Sequence, residues 1–346
     1  MRRLLLSAVA LALVVVPAGH AALRTAFVDP LPAASAGTLD WQLGATHEDA
    51  VPAWVVVAAS RITIAVVDTG ADLTAPALAA KAAVGYDVRT RSASVPDANG
   101  HGTFVASLAA ASRDPETGFS GFGGDAHLLV IRAGRADGSL TDVDEAAAIV
   151  YAVNHGAQIV NLSFGGPGTS RVERFAIRYA VSHGVLVVTA AGNERAFGNP
   201  VEYPAALVQP VGSRGAGGSG LVVAASDRAG RSAPFSNTGS YVSLAAPGVD
   251  VLGAVSALSS PTAYPRMPIA GVSGLWGLAS GTSFATPEVA GAAALVWAAN
   301  PTLTAAQVAA ILKRTASGHG RWTPDLGFGV IDVAAAVAEA TPTASG

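Results

Sequence analysis

AQIVNLSFGGPGTSRVERFAIRYAVSHGVLVVTAAGN occupies residues 157–193, and its pattern decides the fold. AQIVNLSFGG (157–166) is an apolar run entering a glycine turn. RVERFAIRYAVSHG (171–184) spaces its apolar residues at helical intervals, and VLVVTAAGN (185–193) is a second buried-strand run. A strand, a helix and a strand joined by short links imply parallel strands connected by a right-handed crossover. The alternation extends in both directions. RITIAVVDTG (61–70), HLLVIRAG (127–134) and GLVVAASD (220–227) read as further strands. HGTFVASLAAAS (101–112) reads as a small-residue helix. SLTDVDEAAAIVYAVNHG (139–156) reads as an amphipathic helix with Asp142, Asp144 and Glu145 in its first turns, where the helix dipole favours acids. The expected fold is a three-layer α/β sandwich with a mainly parallel, doubly wound central sheet. Ligands of such sheets bind at the carboxyl ends of the strands, which singles out Asp68, residues 163–166 and residues 191–193.

Composition narrows the function. Hydrophobic residues make up 51% of the 346 and charged residues 13%, so a large core is expected. The net charge is −3 and the basic residues form no dense run, which argues against nucleic acid as a partner. With no cysteine, the chain has no disulfide, no thiol nucleophile and no thiolate metal site. MRRLLLSAVALALVVVPAGHA (1–21) has two arginines, an apolar run from Leu4 to Val16, a break at Pro17, and small residues Gly19 and Ala21 before a cut after Ala21. That is a secretory signal pattern, and the run is shorter than the roughly 20 residues of a membrane span. The expected organisation is a signal peptide over 1–21, an N-terminal arm over 22–50, one large domain over 51–340 and a short tail over 341–346. After signal removal no membrane association is expected.

Four polar positions stand out. Asp68 follows the apolar IAVV, His101 sits at a glycine turn entering a helix, Asn193 ends TAAGN, and Ser283 lies in ASGTSFATPEVAG (279–291). Each has a local structural reading: a turn aspartate, a capping histidine, a turn asparagine, and a serine capping a helix with Pro287 in its first turn. Together they have another. A serine nucleophile needs a base, a carboxylate that orients the base, and donors for the oxyanion, and chain order Asp, His, Ser is a known solution.

The motifs resemble those of the subtilisin family of serine endopeptidases. AVVDTGAD is similar to its aspartate motif, GHGTFVAS to its histidine motif and SGTSFATPEVAG to its serine motif. VTAAGNE resembles the oxyanion-hole segment and NLSFGG the substrate-binding strand, while FSNTGSYVSLAAPG and GFGVIDVAAAV also fit. The likeness covers roughly residues 26–338. It implies that Ser283 attacks the peptide carbonyl, His101 moves the proton, Asp68 orients His101, and Asn193 binds the oxyanion with the Ser283 N–H. It implies that Ser163, Phe164 and Gly165 pair with the substrate backbone and that Ala190, Ala191 and Gly192 wall the pocket for the residue before the cut. The implied protein is exported, acts on polypeptides as a monomer and needs no organic cofactor. The alternative is a catalytically silent subtilisin-like binding or assembly protein. An esterase on another fold is disfavoured by the absence of a GxSxG elbow.

Several positions depart from the family pattern. Phe104, Ser107 and Glu288 read as packing or surface changes. The aspartate that often ligates calcium is replaced by Ala77, so structural calcium is possible but not assured, and SRDPETG (112–118) and DANG (97–100) read as polar turns. The segment before the Asp68 strand is shorter than the family's usual pro-domain. Insertions near 208–220 and 255–276 are expected on the active-site face. Glu194 and Glu202 fall where the family lines its pocket, and two carboxylates there would favour arginine or lysine before the cut.

Overall fold

The β-branched run Thr63–Asp68 forms the strand around which the chain is organised in a computed structural model describing residues 20–22, 39–81, 83–113, 118–269 and 274–342. The expected signal segment lies almost wholly outside the described residues, as do most of the arm before Leu39 and residues 343–346 of the tail. The strands are β1 (His20–Ala22), β2 (Thr63–Asp68), β3 (Val84–Asp87), β4 (His127–Arg132), β5 (Ser139–Thr141), β6 (Ile159–Leu162), β7 (Leu186–Ala190), β8 (Leu221–Ser226), β9 (Leu244–Pro247), β10 (Val251–Ala254) and β11 (Trp276–Ala279). The helices are α1 (Trp41–Ala45), α2 (Ala53–Ala58), α3 (Pro76–Ala79), α4 (His101–Ala110), α5 (Asp142–Asn154), α6 (Arg171–Ser182), α7 (Ala205–Val208), α8 (Thr282–Ala299), α9 (Ala305–Thr315) and α10 (Val333–Ala340).

Seven strands form one parallel sheet in the order β3-β4-β2-β6-β7-β8-β9. The winding reverses between β2 and β6. At such a switch point the connections leave in opposite directions and open a crevice at the carboxyl ends of the two strands. Asp68 ends β2 and Ser163 follows β6, so both expected positions lie at that crevice. Alternation along β2 divides the core. Ile64 and Val66 pack in the cluster with Phe104 of α4 and Phe284 of α8. Ala65 and Val67 pack on the other face with Ile149 of α5 and Ile177 of α6. These are the three expected layers.

Two stretches differ from the sequence reading. The stretch read as one helix over 139–156 begins as strand β5, because Thr141 adopts an extended conformation and its side chain caps α5 by accepting from the Asp144 N–H. The insertion around 208–220 precedes β8, at the sheet's amino end, away from the active-site face. Its Gly220 packs against the Val187 carbonyl and its Gly215 against Val242, Ser243 and Trp322. The other insertion lies where expected: Ser256 Oγ donates to the Asp97 carbonyl, and Ser259 and Tyr264 approach Gly100 beside His101.

The arm is part of the domain from Leu39 onward. Trp41 Nε1 donates to the Asp250 carbonyl and Gln42 Nε2 to the Leu252 carbonyl. Val333 N–H donates to the Thr46 carbonyl and His47 Nδ1 lies 2.9 Å from Asp332 Oδ2.

Helix α8 is buried along its whole length, so Glu288 is a core residue and not a surface change. Neither of its carboxylate oxygens has a hydrogen-bond partner. Burial therefore pushes its carboxyl pKa well above the ordinary value. A raised carboxyl pKa contributes stability that is fully present below the unfolded value and lost as pH rises toward the folded one. Glu288→Met is therefore predicted to stabilise the protein by about 1–3 kcal/mol, the cost of an unsatisfied buried polar group. Thermal melts of both proteins from pH 5 to pH 8 should show a gap that widens with pH; a constant or reversed gap would refute the assignment.

Candidate active site

Asp68 is fully buried at the end of β2, and its carboxylate is held before it meets the histidine. The Thr69 N–H donates to Oδ1 at 2.7 Å. His101 Nδ1 then approaches Oδ1 at 2.8 Å and Oδ2 at 3.0 Å. A carboxylate on Nδ1 fixes the imidazole tautomer and leaves Nε2 as the proton acceptor.

Histidine reaches the aspartate because α4 starts unusually close to β2. Gly102 makes this possible: a Cβ there would fall 2.1 Å from the Gly70 carbonyl oxygen and 3.1 Å from Asp68 Cβ. The Gly102 N–H donates to Thr69 Oγ1, which itself donates to Asp97 Oδ1 at 2.8 Å. Asp97 is buried and is the hub of this turn. It also accepts from the Gly100 N–H, the Thr103 N–H and Thr103 Oγ1. The DANG stretch is thus a turn fastened by its own backbone, as expected.

Ser283 lies on α8, across from α4. The His101 ring packs on Phe284 with centroids 5.4 Å apart, and Phe284 packs on Phe104 at 4.8 Å, which sets the two helix starts side by side. Phe104 is fully buried in this contact, and Ser107 Oγ accepts from the Ala254 N–H, so both departures from the family pattern are packing residues. Ser283 is not the helix cap. Gly281 is the N-cap position, and Ser283 is the second helical residue. Pro287 sits a turn later inside the helix, where its missing N–H leaves the Ser283 carbonyl without its usual intrahelical donor.

Asn193 follows β7 and comes to the same helix start. Its Oδ1 accepts from the Thr282 N–H at 2.9 Å and from Thr282 Oγ1 at 3.0 Å. These donors identify the oxygen end of the amide, so Nδ2 is the end presented beside Gly281. A side-chain donor next to the first N–H groups of a helix is suited to stabilise an oxyanion.

The expected pocket residues separate into walls and supports. Ser163 Oγ accepts from Asn161 Nδ2, and Phe164 is buried in the lower core, so only their backbone faces the crevice. Gly166 and Tyr203 exchange backbone hydrogen bonds of 3.0 and 2.8 Å, which brings Glu202 alongside Gly165. A Cβ on Gly165 would fall 3.2 Å from Glu202 Oε2, and one on Gly192 would fall 2.7 Å from Glu202 Cγ and 3.0 Å from Glu194 Oε2. The two glutamates thus converge between the glycine walls. Ala190 and Ala191 are buried behind them, and Tyr241 OH donates to the Ala191 carbonyl. Burial and the neighbouring Glu202 push the Tyr241 hydroxyl pKa up.

Sequence reasoning missed Thr282 and Asn237, and read Asp97 only as part of a polar turn. Asn237 accepts from the Glu194 N–H, and its own N–H donates to the Gly192 carbonyl. Asp97 lies four residues before His101, which is the signal that could have tied that turn to the site; Asn237 carries no local signal. Ala77 is buried in α3 and offers no ligand, and among the described residues no three histidines, aspartates or glutamates are placed to hold a metal.

The Subtilase family model matches residues 59–330, which contain all four positions described above. The chain belongs to the subtilase family. This subtilase is 36% identical over 245 residues to a thermophilic serine proteinase of Bacillus sp. (strain AK1), covering 70% of this chain and 54% of that protein. It therefore spans about half of that relative's length. It is 34% identical over 285 residues to thermitase of Thermoactinomyces vulgaris, covering 81% of this chain and 91% of that one. Fervidolysin of Fervidobacterium pennivorans, a keratinolytic enzyme related to subtilisin, superimposes with a TM-score of 0.76 at 28% identity, covering 94% of this chain and 52% of that one. A cold-adapted subtilisin-like serine proteinase superimposes with a TM-score of 0.62 at 27% identity, covering 79% and 87%.

Asp97 supports the site from behind. Asp97→Ala would strip partners from buried donors on Thr69, Gly100 and Thr103, and is predicted to cost about 3 kcal/mol or more at one to three per orphaned group. Chemical denaturation measures this, and a loss below about 1 kcal/mol would show that the turn stands without its hub.

Proposed function

We propose that this subtilase is an exported serine endopeptidase that hydrolyses polypeptides as a monomer. The observation that carries the reading is the buried Asp68–His101 contact of 2.8 Å beside the start of the helix bearing Ser283. In the reaction His101 Nε2 removes the Ser283 hydroxyl proton as Oγ attacks the substrate carbonyl. Asp68 steadies the imidazolium. The developing oxyanion is met by Asn193 Nδ2 and the Ser283 N–H. The imidazolium then returns its proton to the leaving amine, and water hydrolyses the acyl-enzyme through the same base. Every step uses a side chain or backbone group of this chain, so no organic cofactor is required. Export rests on the signal pattern of residues 1–21; among the described residues no helix is long and apolar enough to cross a membrane.

A fluorophosphonate probe should label the mature protein and casein should be cleaved, with both lost in Ser283→Ala. Absence of labelling in folded wild type would favour the silent binding protein. Asn193→Ala should lower kcat by about 10²–10³, the loss known for the oxyanion-hole asparagine of subtilisin.

Glu202 and Glu194 give the pocket before the cut a negative floor, favouring arginine or lysine there. Pairing with a cation in a largely dehydrated pocket is worth about 1.5–3 kcal/mol, or roughly tenfold or more in kcat/KM. A peptide-library digest should show this enrichment and its loss in Glu202→Gln; an unchanged profile in the variant would remove Glu202 from the specificity.

A further inference from the structure

A second group of acids lies outside the triad and the Glu202 pocket. Helices α5 and α6 pack together, and both begin near the crevice: α5 directly after β5, α6 shortly after residues 163–166. Asp142 and Glu145 stand in the first turn of α5 and Glu173 in that of α6. The side chains of Glu145 and Glu173 are almost fully buried, yet Glu145 Oε1 and Glu173 Oε2 have no hydrogen-bond partner. Asp144 differs, because Thr141 Oγ1 donates to it. Buried carboxyl oxygens left without partners are costly, so stability alone does not account for them.

An independent feature indicates what comes to this place. The edge of β5 accepts an extended backbone: His20–Ala22 of this chain lies antiparallel on it, with Ala21 opposite Leu140. The direction is informative. His20 lies opposite Thr141, where α5 begins, and Ala22 lies opposite Ser139. Beyond Ser139 the chain turns back through Arg135 to Gly134, whose N–H donates to the Asp68 carbonyl. A peptide added in this sense runs toward the triad, with its upstream part beside the first turns of α5 and α6.

We propose that Asp142, Glu145 and Glu173 form a subsite for a lysine or arginine side chain of the substrate polypeptide, upstream of the residue held in the Glu202 pocket. The subsite rests on the endopeptidase reading and deepens it. The occupant is an organic cation carried by a peptide, because the acids lie beside an edge that takes an extended backbone. The titration is distinctive. Burial raises both glutamates, Glu173 to about 7; the charges of Glu173 and Asp142 raise Glu145 further, Asp142 also raises Glu173, and hydrogen bonds with Thr169 and Ser170 and the charge of Arg174 oppose this at Glu173. Above that pH the subsite becomes more negative and its preference for a cation strengthens.

Ser283→Ala protein, which holds substrate without turning it over, is titrated with labelled peptides in which a single arginine replaces norleucine at successive upstream positions. One position should bind roughly tenfold tighter, the scale of a charge-assisted contact. The advantage should grow from pH 6 to pH 8.5 and disappear when Glu173→Gln or, separately, Glu145→Gln is added. A flat scan overturns the subsite, as does a preference retained in both folded glutamine variants. A wild type that cleaves nothing while Ser283→Ala shows the preference overturns the catalytic reading alone. Cleavage with a flat scan overturns the subsite alone.

Discussion

Everything at the crevice depends on one buried contact, that between Asp68 and His101. A carboxylate at the end of a central strand has lost its water and must be compensated by fixed donors. The Thr69 N–H and the imidazole supply them. The price is geometric: α4 must begin almost against β2, which only a residue without a side chain at position 102 permits. Asp97 then fastens the turn that aims α4, and Phe284 places α8 against the imidazole. The catalytic arrangement is thus an outcome of how closely two helix starts can approach one strand end.

The five middle strands of the sheet were legible because they are apolar and largely buried, and because the helices between them alternate regularly. Asp68, His101 and Asn193 were legible for a related reason: each stands where a buried strand or a glycine turn ends, and a polar residue there is conspicuous. Ser283 could not be read locally, since its stretch looks like a helix cap, and only the other motifs gave it a different meaning. What sequence missed is long-range. Thr282 matters because Asn193, 89 residues away, accepts from it, and Asn237 because it holds the Glu194 N–H across 43 residues. Strands β3, β9, β10 and β11 escaped notice because they are four residues long and carry no alternation that separates them from loop. The start of α5 was misplaced because its first residues pair as an edge strand, a role no helical pattern reveals.

The acids divide into three populations with different surroundings. Asp68 and Asp97 are buried and held by several donors each. Glu202 and Glu194 converge between the glycine walls at 165 and 192. Glu145, Glu173 and Glu288 are buried with oxygens that lack partners. Glu288 stands alone in an apolar helix, whereas Glu145 feels the charge of Glu173 on the neighbouring helix, beside an edge that takes an added strand. Equal burial therefore carries different meanings, and the neighbours decide between an inert core acid and a receptor for positive charge.

The lacing of residues 39–47 onto the far end of the chain has a consequence for synthesis. Trp41 and Gln42 find their acceptors at Asp250 and Leu252, Thr46 finds its donor at Val333, and His47 meets Asp332. A ribosome makes the first partners of these pairs long before the second. During that interval α1 has nothing to dock on, and the cluster containing Leu39 and Leu43 cannot close. Helix α8, which carries Ser283, also emerges late and fills the middle of the same cluster. A nascent chain therefore has no assembled crevice until the last layer of the fold has left the exit tunnel.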